Sequence, residues 1–180
     1  MRRRLAIALA GLLVLLAACA SAPDPSVLAD ECSSELPART SPVDYPVAIL
    51  HVAGDDLAPV VGEVEWLGAG EPVATTAPRP VHLERFTVLQ TQGHSHASLR
   101  MTDDVAIETW RIDALPLAAF RAGDLETGRV RWIEGDGPTE VICVPISDGE
   151  WAIVGDLTFA DDAGSATFYW RLNVIEAPSG

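Results

Sequence analysis

Residues 150–174 read EWAIVGDLTFADDAGSATFYWRLNV. Two runs within this stretch alternate with a period of two. Trp151, Ile153, Gly155, Leu157 and Phe159 share one side of the first run. Ala166, Phe168, Trp170, Leu172 and Val174 share one side of the second, with Thr167, Tyr169, Arg171 and Asn173 on the other. Side chains alternate across a strand but recur every 3.6 residues on a helix, so both runs predict strands. Between them stands ADDAGS, residues 160–165, whose Asp and Gly tolerate the backbone angles of a tight reversal. The whole stretch predicts an antiparallel hairpin with one buried and one solvated face.

The same period extends backwards as far as Tyr45. Further strands are predicted near residues 46–52, 61–67, 85–90, 97–101, 106–112, 128–133 and 139–146, most of them separated by Gly, Pro or Asp. Only LPLAAFRAG, residues 115–123, reads as a helix of a turn or two, with Pro116 suited to its start and Gly123 to its stop. Many short strands with regular turn signals predict an all-β, Ig-like antiparallel β-sandwich of about seven to nine strands, with a closed β-barrel as the alternative.

The N-terminus carries a different message. Met1-Arg2-Arg3-Arg4 is followed by an uncharged apolar run from Leu5 to Ala18. That run is shorter than the roughly 20 residues a spanning helix needs, and it has the layout of an export signal. Leu16-Ala17-Ala18-Cys19 resembles the lipobox of bacterial lipoproteins. The resemblance implies cleavage after Ala18, diacylation of the Cys19 sulfur, and a protein anchored to the cell membrane and facing outside the cytoplasm. The expected organisation is therefore a signal peptide over residues 1–18, a Pro-rich tether carrying the lipid over 19–44, and a sandwich over 45–177.

Cleavage takes away three arginines and no acid, leaving nine basic against 26 acidic residues and a formal charge of −17. No lysine occurs in the chain, which excludes Schiff-base chemistry on a lysine. So acidic a chain offers no basic patch for nucleic acid. With Cys19 assigned to lipid, Cys32 and Cys143 remain, and two cysteines in an exported protein predict one disulfide. Two free thiols are the alternative.

Gly62 and Trp66, then Gly149, Trp151, Phe159, Gly164, Tyr169, Trp170, Arg171 and Val174, form a second pattern. It resembles a group of uncharacterised exported proteins and lipoproteins of GC-rich Gram-positive bacteria, whose members often carry cysteines beside the first Trp. This chain has none there, a departure that puts a common disulfide wiring in doubt. The resemblance implies fold and location and assigns no activity.

The candidate chemistry begins at Gly93-His94-Ser95-His96-Ala97. The G-x-S-x part of a hydrolase nucleophile elbow is present, but that motif needs a following helix and a parallel sheet, and residues 97–101 continue as a strand. On a strand His94 and His96 share a face with Arg100, while Ala97, Leu99 and Met101 point the other way. Two imidazoles could begin a copper or zinc site, with His51, His82 or an acid such as Asp103 as the third ligand. An exposed hairpin is the simpler reading. Trp66, Trp132, Trp151 and Trp170 keep phase with apolar neighbours and read as core. Trp110 does not, so either a bulge re-aims it or it is exposed. An exposed Trp110 together with Tyr169 on the polar face of the last strand would form a ligand-binding platform. The pairs Asp55-Asp56, Asp103-Asp104 and Asp161-Asp162 lie at turns, where Asp is favoured anyway.

These readings converge on a binding module for an envelope protein or a cell-wall glycan. A surface copper or zinc protein using His94 and His96 is the alternative, and no catalytic residues are assigned.

Overall fold

The computed structural model describes Cys32 and residues 39–68, 71–77, 88–92, 96–124 and 130–175. The expected signal peptide, Cys19, His82, His94 and Ser95 lie outside the described residues, as does the side chain of Trp132.

The strands are β1 (Ala48–Val52), β2 (Asp55–Leu57), β3 (Val60–Trp66), β4 (Val73–Thr75), β5 (Val88–Gln92), β6 (His96–Met101), β7 (Ile107–Pro116), β8 (Val130–Thr139), β9 (Val141–Pro145), β10 (Gly149–Phe159) and β11 (Gly164–Ile175). One short helix, α1 (Leu117–Ala122), follows β7 directly. A smaller sheet has the order β2-β1-β6-β9, and a larger one β4-β3-β11-β10-β7-β8. The inner faces of the two sheets share one core, so the fold is an all-β sandwich.

Eleven strands appear among the described residues, against an expected seven to nine. The excess comes from β2 and β4, three residues each, in which a period of two has no room to show. The sheet also departs from pure antiparallel pairing. β3 pairs with β11 between Gly164 and Tyr169, and β5 then runs parallel to Arg171–Ile175.

The hairpin that set the reading forms in the register its pattern requires, from Gly149 opposite Val174 to Phe159 opposite Gly164. In its turn Asp161 and Asp162 both take positive φ, 58° and 54°. Gly164 has φ +117°, and a Cβ there would lie 1.9 Å from the Glu65 carbonyl oxygen on β3. Only a hydrogen atom fits that position. Behind the turn, Phe159, Phe168 and Trp170 are buried, and Trp66 meets Phe159 edge-on at 5.6 Å. The Trp170 indole N–H donates to the Leu57 carbonyl oxygen at 3.1 Å, which ties the larger sheet to the smaller one.

One expectation about the hairpin is corrected. Its outer face is not wholly wet. α1 folds back over it, and Leu117 and Phe120 pack on Leu115 and Ala152 as a second, smaller core. The helix stops at Gly123, whose φ of 81° lets its N–H reach the Phe120 carbonyl oxygen at 3.1 Å.

Cys32 and Cys143 form a disulfide with Cα atoms 5.5 Å apart. Cys143 sits opposite Ser98 in the β6–β9 register, and Ser98 donates its hydroxyl to the Cys32 carbonyl oxygen at 3.2 Å. The buried Cys32 thus lies over the outer face of the smaller sheet. Part of the region read as tether, residues 19–44, is accordingly docked. The Asp103 N–H donates to the Arg39 carbonyl oxygen at 2.7 Å, and the Ser41 N–H donates to the Asp103 carboxylate at 3.1 Å.

Candidate functional site

The outer face of the larger sheet has two unlike halves. Towards the C-terminal end of β7 it is apolar and covered by α1, with Val60, Val154 and Tyr169 packed at the margin. Towards the other end it is open, and among the described residues its outward side chains include hydroxyls, carboxylates and the Arg111 guanidinium, with Trp110, Leu157 and Ala166 also lining the groove there. Cross-strand pairing sets them in rows. Arg111 of β7 stands opposite Asp156 of β10, which stands opposite Thr167 of β11. One step along, Thr109 stands opposite Thr158, which stands opposite Ser165. Glu63 of β3 forms the side wall of a groove of about 290 Å³.

Two anchors hold the first row. The Thr167 hydroxyl donates to Asp156 Oδ1 at 2.9 Å. Arg111 Nε donates to Asp113 Oδ2 at 2.9 Å, and Asp113 is only 1% exposed. A charge-assisted bond to a buried carboxylate fixes the base of the guanidinium and leaves its outer edge toward the groove. Arg111 itself is 40% exposed, so the pair joins a buried anion to a reachable cation. Strands lie about 4.8 Å apart, and that spacing sets the interval between neighbouring donors and acceptors along a row. The arrangement suits hydrogen-bonding to a ligand that offers hydroxyls at similar intervals.

The sequence-predicted residues fall elsewhere. His96 begins β6 and faces outward with Ser98 and Arg100, while Ala97, Leu99 and Met101 are buried, as the alternation requires. His51 lies opposite Ser98 on that same outward face. Its Nδ1 is 2.8 Å from Asp56 Oδ1, and Asp56 also pairs with Arg39. Asp103, the acid considered as a third metal ligand, accepts from the Ser41 backbone instead. Arg100 pairs with Asp104 at 2.6 Å. Among the described residues no three His, Cys, Asp or Glu side chains converge in a metal-holding group.

Trp110 and Tyr169 are not brought together. A register shift between Ile107 and Thr109 turns Trp110 inward, opposite Leu157, onto the main core. The indole covers Gly135 on β8, where a Cβ would approach its ring to 2.3 Å. Tyr169 stands opposite Val154 on the outer face and packs against Phe120, ring centroids 6.2 Å apart. The two aromatics therefore occupy opposite faces of one sheet, and the bulge alternative for Trp110 is the one realised.

Sequence reasoning passed over Arg111, Asp156, Thr109, Thr158 and Glu63. Their polarity at outward positions was visible, but their adjacency depends on which strands pair. No protein-family model matches the chain, and no curated protein is found to be similar to it.

Proposed function

We propose that the protein is a lipid-anchored, extracytoplasmic binding module. The reading is carried by the open polar groove on an outer sheet face whose other half is sealed by α1. The Cys32–Cys143 bond supports an oxidising compartment, since such bonds persist outside the cytoplasm. The lipobox over Leu16–Cys19 supports attachment through a diacylated Cys19. The partner is an envelope component, protein or cell-wall glycan. The acidity of the mature chain argues against nucleic acid.

The anchor is tested by expressing the full chain in a bacterium fed labelled palmitate. The protein should take up label and sediment with membranes, and globomycin or Cys19→Ser should abolish the labelling. An unlabelled wild-type product in the cytosol would overturn the reading. A surface copper or zinc protein is the second reading, favoured by His51 sharing the outward face of His96. Calorimetric titration of either metal into the protein and into a His94→Ala/His96→Ala variant separates the two, because equal binding eliminates the metal site.

A further inference from the structure

We infer that the groove on the larger sheet binds a neutral saccharide chain. The inference rests on the binding-module reading and chooses between its two partners.

Composition of the surface decides the choice. Protein interfaces are centred on buried aromatic, apolar and arginine anchors, with carboxylates and lysines depleted from the middle. Here the polar lining is Arg111, Asp156, Thr109, Thr158, Thr167, Ser165 and Glu63, and Trp110 is the one aromatic beside the apolar Leu157 and Ala166. No aromatic side chain stands free at its centre: Trp110 is half-buried against the core while still lining the groove, and Tyr169 lies against α1. A floor of interleaved hydroxyls, carboxylate and guanidinium instead matches a polyhydroxyl ligand. Each sugar hydroxyl both donates and accepts, so a vicinal pair can give a proton to Asp156 and accept one from Arg111. Both protein groups are held in place before the ligand arrives, Asp156 by Thr167 and Arg111 by the buried Asp113. That preorganisation lowers the ordering cost of binding.

Geometry sets the direction. The rows Arg111–Asp156–Thr167 and Thr109–Thr158–Ser165 cross three strands at right angles to them. Successive groups are about one strand spacing apart, roughly 4.8 Å, comparable to the length of one pyranose unit. A chain lying across the strands therefore meets a polar group with each unit. Charge narrows the class further. Glu63 and Asp156 face the groove, and the whole chain is acidic, so phosphorylated, sulfated or uronic polymers are repelled.

The test uses the detergent-solubilised full-length lipoprotein and a panel of neutral hexasaccharides: β-1,4-linked N-acetylglucosamine, β-1,4-linked glucose and α-linked mannose. Binding is read by calorimetry, with a sulfated polysaccharide and a lysine-rich peptide as counter-probes. At least one neutral hexasaccharide should bind. Asp156→Asn and Thr158→Val should each weaken it about tenfold, the worth of one hydrogen bond in which a charged group or a sugar hydroxyl takes part. Asp148→Asn, an exposed change away from the groove, should leave it unaltered. Unchanged circular-dichroism spectra would show that the groove variants still fold. No binding to any panel member, binding indifferent to both groove substitutions, or preference for either counter-probe would overturn the inference. If isolated envelope still retained the non-lipidated Cys19→Ser variant in such a case, the module reading would stand and the saccharide would fall. If envelope retained nothing, both would fall.

Discussion

At the scale of single residues, this chain places its tightest constraints where two strands approach each other too closely for a side chain. Gly164 is the clearest case. Its φ of +117° is a region that other residues rarely adopt, and the Glu65 carbonyl oxygen occupies the space of its missing Cβ. Gly164→Ala should therefore cost about 3 kcal/mol or more, combining backbone strain with displacement of β3. Urea unfolding followed by tryptophan fluorescence would measure it, and a midpoint unchanged from wild type would contradict the account. The sequence marked this glycine as a turn residue, which is correct. It did not reveal that a third strand closes over the turn, because Glu65 lies about a hundred positions away and only the β3–β11 pairing brings it near.

At the scale of elements, α1 is a lid on half of a sheet. Six residues do not make a stable helix in isolation, so its order comes from the apolar surface it covers. Phe120 is fully buried in that contact, touching Tyr169 and packing with Leu115 and Ala152. Phe120→Ala should lower stability by about 3–5 kcal/mol. The strand signal in the far ultraviolet should survive, since the main core between the sheets is separate from this cluster. A variant that loses its sheet along with its helix would show that the two cores are not independent. The sequence predicted the helix and its stop at Gly123. It also placed Tyr169 on the face opposite the main core, where it is, yet nothing in the local pattern says that a helix from a different hairpin will cover it there and make that half apolar.

At the scale of the whole molecule, one disulfide ties Cys32, far up the chain, to the smaller sheet. The Cys32–Cys143 bond spans 111 positions and lies on the outer face of the smaller sheet. In the chain-entropy description, closing a loop of that length contributes about 5 kcal/mol. A Cys32→Ser/Cys143→Ser variant should be less stable by about that amount, and reductant should shift the wild-type unfolding midpoint towards the variant's. A midpoint insensitive to reductant would mean that the cysteines do not cross-link the native chain. The bond also brings Cys32 against one sheet while the polar groove opens on the outer face of the other. A ligand approaching the groove thus meets the face of the sandwich opposite to the one that carries Cys32.

What the sequence determined by itself was local and periodic: strands where side chains alternate, a helix where Pro116 and Gly123 bracket six residues, a reversal at ADDAGS, and a cysteine pair fit for one bond. These follow from forces acting between near neighbours, which one dimension records. The tertiary structure alone decided which strands lie side by side. That choice turned Trp110 inward through a one-residue register shift, folded α1 over Tyr169, set His51 beside the row of His96, and assembled Arg111, Asp156 and Thr167 from three strands into one row. A strand pattern fixes which side a residue faces but not its lateral neighbour. A site built across strands becomes legible only when the sheet order is known.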